Sequence, residues 1–237
     1  QNLFLVSDYQ KNGTNPYLKY SKEIEKNKTV YMGTLAGVNN GLIRNCAVSG
    51  YYVAGNNGTI YVRQNGTLYF GGLVGKNTGT IRNSQADTPL VNANVLYGKA
   101  YIGGLAGENA AAGKITGSYA IGKAMVEYSK GEKSVIGGFA AKNAGYLASD
   151  YCAVTMTAAG STETYGFAKK GGNISSNCYY LSGGTFQYLD EMETFDNTSG
   201  SGTPKTYSEM QQEEPTRAEC CSATASENGY PFEAVVR

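Results

Sequence analysis

"FGGLVGKNTGT", Phe70 to Thr80, is the stretch on which the reading of this chain turns. Gly71, Gly75 and Lys76 look like the start of a phosphate-gripping loop. That loop has a strict form: Gly, four residues, Gly-Lys, then Ser or Thr. Only three residues separate Gly71 from Gly75, and Asn77 stands where a magnesium-binding hydroxyl is required. A catalytic loop also occurs once, whereas a structural unit recurs.

The stretch recurs. "YMGTLAGVNNGLIRNCAVSG" begins at Tyr31, "YFGGLVGKNTGTIRNSQADT" at Tyr69, "YIGGLAGENAAAGKITGSYAIG" at Tyr101 and "VIGGFAAKNAGYLASDYCAV" at Val135. A worn copy, "TYGFAKKGGNISSNCYY", begins at Thr164. Leu35, Leu73, Leu105, Phe139 and Phe167 form one column, and Ile43, Ile81, Ile115, Leu147 and Ile174 a second. Lys76 has Val38, Glu108 and Lys142 as its counterparts. A phosphate-binding lysine would not be one of several fillers, so the glycines are read as serving the backbone.

Each copy reads as strand, turn, strand: an apolar run, Gly-Gly, Leu or Phe, a small residue, Gly or Ala, then Asn two places on. Glycine is expected to supply the positive φ of tight corners. Such units bury their apolar face only by stacking. The expected fold class is all-β: a parallel β-helix or β-solenoid of about five irregular coils, about 24 Å tall at the spacing of neighbouring strands. Residues 1–30 are expected as an N-terminal cap, 31–182 as the solenoid, and 183–237 as an irregular C-terminal cap or a linker to a following domain. "LFLVSDY" reads as a strand; "YLKYSKEIEKNKT" reads as strand or short helix. The insertion over 51–68, with turns at Asn57-Gly58 and Asn65-Gly66, reads as a small projecting hairpin. In the tail, "LDEMETF" and "SEMQQEE" read as helical turns, with Ser208 as N-cap and Gln211 three residues later.

Asn39, Asn77, Asn109 and Asn143 suit two roles equally: an amide ladder, or asparagines kept for local turn chemistry. Tyr69 and Leu73 share a face if the glycines do not bulge, with Phe70 and Val74 opposite, so both faces are apolar. Cover from the same chain is the expected outcome, and the stripe Tyr31, Tyr69, Tyr101 is expected in the core rather than as a binding ladder. Cys46, Cys152 and Cys178 occupy one small buried position for which Ser84 and Ser118 substitute. For Cys220 and Cys221 a free pair, a vicinal disulfide and bridges elsewhere all stay open.

Composition narrows the chemistry. The chain has 237 residues, 41% of them hydrophobic, with 32 Gly, 20 Tyr, no Trp and no His. Absent histidine removes Ser-His-Asp and Cys-His catalysis and His-metal sites. A net charge of +1 makes no case for nucleic acid or anionic membrane. No apolar run reaches transmembrane length. "QNLFLVSDYQ" lacks a signal-peptide pattern, which fits a mature protein or a piece of a longer one. Sequons occur at Asn12, Asn27, Asn57, Asn65, Asn173 and Asn197 and are expected to carry glycan only on expression in a eukaryote.

The repeats resemble the GLUG motif, whose core is Gly-Gly-Leu-Val-Gly-x-Asn followed by Ile-x-Asn-Ser/Cys-Tyr-Ala. "GGLVGKNTGTIRNS" and "GGLAGEN" match closely; the fourth copy has Phe139 and Ala141, and the fifth has Gly171 in place of Asn. The resemblance spans about residues 31–182. It implies an extracellular protein, secreted or on the surface of a gut bacterium of the Firmicutes: an adhesin, or the non-catalytic repeats of an immunoglobulin A peptidase.

The function expected is a non-catalytic binding module, part of a larger surface protein. It would engage a host protein, immunoglobulin included, or a glycan. Tyr51, Tyr52, Tyr61, Tyr97 and Tyr128 are the expected ligand-binding residues, because tyrosine supplies much contact area at low entropy cost. Their other reading is as strand filler. No catalytic residue, cofactor or metal is expected. The alternatives are a mechanical stalk and a polysaccharide-cleaving β-helix enzyme, the latter needing a spatial carboxylate pair such as Glu108 with Asp150. The acidic run Asp190, Glu191, Glu193, Asp196 is read as a solvated face rather than a calcium loop.

Overall fold

The fold is described from a computed structural model, which covers residues 3–6, 17–20, 23–49, 52–55, 60–95, 97–188, 191–197 and 199–212. The described chain is nearly all β, with parallel sheets and one short helix. Each copy of the repeat contributes one strand to each of four sheets, apart from the fifth, which contributes to sheet III only an isolated bridge from Ala168 to Ala140.

Sheet I runs β1 (Leu3–Val6), β6 (Cys46–Ser49), β12 (Gln85–Val95), β16 (Tyr119–Ser129), β20 (Tyr151–Ala158), β23 (Tyr179–Leu181) and β26 (Thr203–Lys205). Three further strands join it: β2 (Tyr17–Tyr20), β7 (Tyr52–Gly55) and β8 (Ile60–Val62). Sheet II holds β3 (Thr29–Gly33), β9 (Thr67–Gly71), β13 (Lys99–Gly103), β17 (Ser134–Gly137) and β21 (Thr162–Tyr165). Sheet III holds β4 (Ala36–Asn39), β10 (Val74–Asn77), β14 (Ala106–Asn109) and β18 (Ala140–Asn143). Sheet IV holds β5 (Leu42–Arg44), β11 (Thr80–Arg82), β15 (Lys114–Thr116), β19 (Tyr146–Ala148) and β22 (Asn173–Ile174).

Both apolar columns stack. The Leu35 amide donates to Leu73 O, Leu73 to Leu105 O, Leu105 to Phe139 O, and Phe139 to Phe167 O. Ile43, Ile81, Ile115, Leu147 and Ile174 are register partners in turn. One core cluster draws Ala86 and Ala120 from sheet I, Phe70 and Ile102 from II, Val74 and Ala106 from III, and Ile81 and Ile115 from IV.

Phe70, Leu73 and Val74 all enter that core, while Tyr69 stays half-buried outside it. The two-residue alternation therefore does not carry through "YFGGLVG": the bend at Gly72 and Leu73 resets which side points inward. Tyr69 and Leu73 do not share a face, and the tyrosine stripe is not core.

The repeat glycines act differently from expectation. Gly71, Gly75, Gly103 and Gly107 do not have positive φ. They are small because backbones meet: a Cβ on Gly75 would lie 2.4 Å from Met32 N. At the turn into sheet I, positive φ falls on Asn45, Asn83, Gly117 and Ser149 in the first four copies. Asparagine tolerates this conformation because its short side chain bonds locally.

The insertion is not a hairpin. β7 and β8 both pair in parallel with β12, through Tyr52 with Leu90 and Ile60 with Ala93. Its apolar Ile60 and Val62 are fully buried, which draws it into the sheet rather than out of it. In the tail, Glu191–Thr194 is a strand, β25, antiparallel to β24 (Thr185–Tyr188), and not a helical turn. α1 (Tyr207–Gln212) does form. Its cap is Thr206, whose hydroxyl takes the Glu209 N–H at 3.4 Å while the Glu209 carboxylate takes the Thr206 N–H at 2.8 Å. Ser208 is not the cap because it already lies inside the helix, as its second residue.

The outer side of sheet I is apolar and is covered by the tail. Tyr119, Ile121, Tyr151, Ala153 and Leu181 pack with Phe195 and Met210. Lys123 on β16 fastens the hairpin through Glu193 at 2.6 Å. Glu193 is thus a nearly buried ion pair rather than part of a solvated acidic face; Asp190 lies outside the described residues.

Candidate binding face

Three sheet II strands, β3, β9 and β13, carry tyrosine as their third residue, and register stacks these residues above one another. Tyr31, Tyr69 and Tyr101 are consecutive partners. Their rings stack, with centres 5.1 Å apart for Tyr31 and Tyr69, and 4.8 Å for Tyr69 and Tyr101. Beside them, the sheet III column Val38, Lys76, Glu108, Lys142 alternates in charge. Glu108 is bound by Lys76 at 3.2 Å and Lys142 at 2.9 Å. The Lys76 ammonium lies 5.3 Å from the Tyr31 ring centre, and Lys142 lies 6.0 Å from that of Tyr69. Lys76 is therefore engaged by a carboxylate and an aromatic ring, as a wall residue would be.

Burial pushes the Tyr69 hydroxyl up to about 12, helped by Glu108 and the neighbouring tyrosines and opposed by Lys142. The hydrogen bond to Glu108 raises Lys76 and Lys142 alike. Farther along, Glu163 meets Lys133 at 2.8 Å, Lys169 at 2.9 Å and the Tyr165 hydroxyl at 2.9 Å. Those bonds hold its carboxyl down to about 2. The face is thus a half-exposed aromatic strip flanked by lysines and glutamates. Ring faces are spent on one another, so edges and hydroxyls are what it offers a partner.

The expected tyrosines lie elsewhere. Tyr51 lies outside the described residues. Tyr52 is on β7, in register with Tyr17 and Leu90. Tyr61 and Tyr128 are both register partners of Asn94 on β12, so they share one row of sheet I. Tyr61 is half-buried between the buried Ile60 and Val62. Tyr97 is 54% exposed, and its carbonyl takes the Asn65 N–H. The structure therefore relates Tyr61 to Tyr128 by register and places Tyr97 two residues past β12. Sequence reading missed the alternating charges of Lys76, Glu108 and Lys142, although the sign change down that column was legible.

Glu108 and Asp150 are not brought together. Asp150 is fully buried at the turn before β20, where it accepts the Ser118 N–H at 2.9 Å and the Ala148 N–H at 3.0 Å. It occupies the position that Ser84 and Ser118 hold in their copies, with Cys46 and Cys178 at the two ends. Cys152 does not belong to that column; its partner is Ala120, two residues farther on. Burial drives the Asp150 carboxyl well above its ordinary range despite two N–H donors, and pushes the Cys178 thiol up to about 12. Cys220 and Cys221 lie outside the described residues. Among the described residues no group of His, Cys, Asp and Glu is arranged to hold a metal ion.

No family model, curated protein or solved structure matches this chain.

Proposed function

We propose that this chain is a non-catalytic binding module of a bacterial surface protein, a β-solenoid of about five coils kin to the GLUG repeats. Its partner is a host protein, immunoglobulin included, or a glycan. The observation that carries the reading is the Tyr31–Tyr69–Tyr101 stack edged by Lys76, Glu108 and Lys142. A strip locked by register across three strands loses little entropy on binding, and tyrosine supplies contact area that is both apolar and hydrogen-bonding. Tyr61, half-buried, and Tyr97, exposed, are further tyrosines a partner could reach. The continuous parallel register also suits a stalk, the second reading.

The test is a panel of mucosal glycoproteins, immunoglobulins and glycans, scored for saturable binding and for reaction products. The expected result is binding without products, weakened at least tenfold in a Tyr31→Ser/Tyr101→Ser variant or a Tyr61→Ser/Tyr97→Ser variant of unchanged thermal stability. Silence across the panel favours the stalk; new products favour an enzyme.

A further inference from the structure

The two ends of the stack are unlike. At the last copy, residues 199–203 cross the core: Ser201 N–H donates to Ala168 O, and Gly202 sits against the Phe167 ring. At the first copy, β3, β4 and β5 are each the outermost strand of their sheets among the described residues. Val30, Met32, Leu35, Ala36 and Ile43 are half-exposed there. Their partners Leu68, Phe70, Leu73, Val74 and Ile81 are at most 1% exposed. Among the described residues, the first rung has core chemistry without a core on its outer side.

Hydrogen bonding carries the same mark. In the second copy, the Gly79 N–H donates to Asn39 O, the carbonyl of the rung before. The equivalent Gly41 N–H turns back on the side chain of Asn39, at 3.1 Å. Each ladder asparagine from Asn77 to Asn143 accepts an amide from the rung before; Asn39 heads the series. β1 supplies a third sign. It pairs with β6 as β6 pairs with β12, Leu3 opposite Cys46, so it holds the place of a sheet I strand one rung earlier. In sequence, Gln1-Asn2-Leu3 repeats Arg44-Asn45-Cys46 and Arg82-Asn83-Ser84, the turn into that sheet.

We propose that the edge formed by β3, β4 and β5 is a docking site for one more rung of the same repeat, with Leu3–Val6 as its closing strand. Its chemistry is set by what it must meet: an aromatic above Tyr31, a Leu or Phe above Leu35, an aliphatic above Ile43, and an asparagine whose amide donates to Asn39 Oδ1. Parallel pairing at that edge would free Gly41 to bond a carbonyl of the new rung. This rests on the stacked-repeat reading above.

The test grafts residues 60–83 in place of Gln1–Asn2, so that a second Asn83 runs directly into Leu3. Amide exchange is followed in the parent, in the graft, and in a graft whose added rung carries Leu73→Asp and Ile81→Asp. The expected result is exchange slowed about tenfold or more over Val30–Met32 and Ala36–Asn39 by the intact graft alone. Equal slowing by both grafts, or by neither, overturns the proposal. So does a parent that sediments as a dimer with those amides already protected, since a second copy would then be the occupant. Fast exchange throughout β9, β10 and β11 in the parent would instead sink the stacked-repeat reading itself.

Discussion

Asn77 donates its side-chain amide to Asn109 Oδ1 at 2.9 Å, and both residues are fully buried. Asn39 donates to Asn77 and Asn109 to Asn143 in the same way, at 2.8 Å each. The same amides also reach turn carbonyls, as Asn77 does at Gly79 O, so the ladder and the local turn role coexist. Replacing Asn109 with Ala removes the acceptor for Asn77 and the donor for Asn143 in a dry interior. We expect a loss of about 2 kcal/mol or more in urea unfolding, and a smaller loss for Asn39→Ala at the open end. Equal losses at the two positions would contradict the ladder.

Asp150 sets a pH dependence. Its folded value lies above the ordinary 3.8, so the folded chain holds a proton that the unfolded chain releases. The resulting stability is whole below about pH 3.8 and fades as pH rises through the raised value. Asp150→Ser restores the residue type of Ser84 and Ser118, which bond the same turn without a charge. Relative to that variant, the parent should be best near pH 4 and fall behind toward pH 8 in denaturant midpoints. A constant difference across that range would show that burial does not govern this carboxyl.

Close approach predicts a contrast between two glycines of ordinary φ. Gly75→Ala sets a methyl 2.4 Å from Met32 N and 2.7 Å from Gly37 O, both backbone atoms that cannot swing aside. A loss of about 1–3 kcal/mol is expected. Gly41→Ala meets nothing within 4 Å and should stay within about 0.5 kcal/mol of the parent. Thermal melts of the two variants decide it.

Glu163 gives the opposite pH sign from Asp150. Its carboxyl is depressed to about 2 by Lys133, Lys169 and Tyr165, so its contribution is whole above its ordinary 4.5 and is lost as pH falls toward 2. The site is open to solvent, which keeps the effect of Glu163→Gln at pH 7 to about 1 kcal/mol or less. The difference between parent and variant should shrink in high salt and vanish near pH 2. A difference unchanged by salt would mean that packing, not charge, is at work.

Legibility varied with the kind of question asked. The Leu35 and Ile43 columns were visible in the sequence and stack as read, because core residues of stacked units must recur at matched places. Their side was harder. Strand parity carried through the repeat puts Tyr69 on the side of Leu73, and the bend at Gly72 and Leu73 cancels it. The glycines were noticed for the wrong reason: spacing reveals a small residue but not whether φ or a neighbouring backbone demands it. Sequence alone puts Cys152 in the column that belongs to Asp150, since a two-residue slip costs nothing in a loosely matched repeat.

By itself the sequence determined that this chain is a repeat, mostly β, with recurrent Leu, Ile and Asn positions and without histidine chemistry. Those properties belong to residue type and spacing, and both are local. Tertiary structure alone decided that Tyr31, Tyr69 and Tyr101 line an outer face beside Lys76, Glu108 and Lys142. It alone decided that Phe195 and Met210 cover sheet I, and that β3, β4 and β5 form an edge at one end. Facing and ends depend on how rungs more than thirty residues apart come into register, which no single stretch of chain contains.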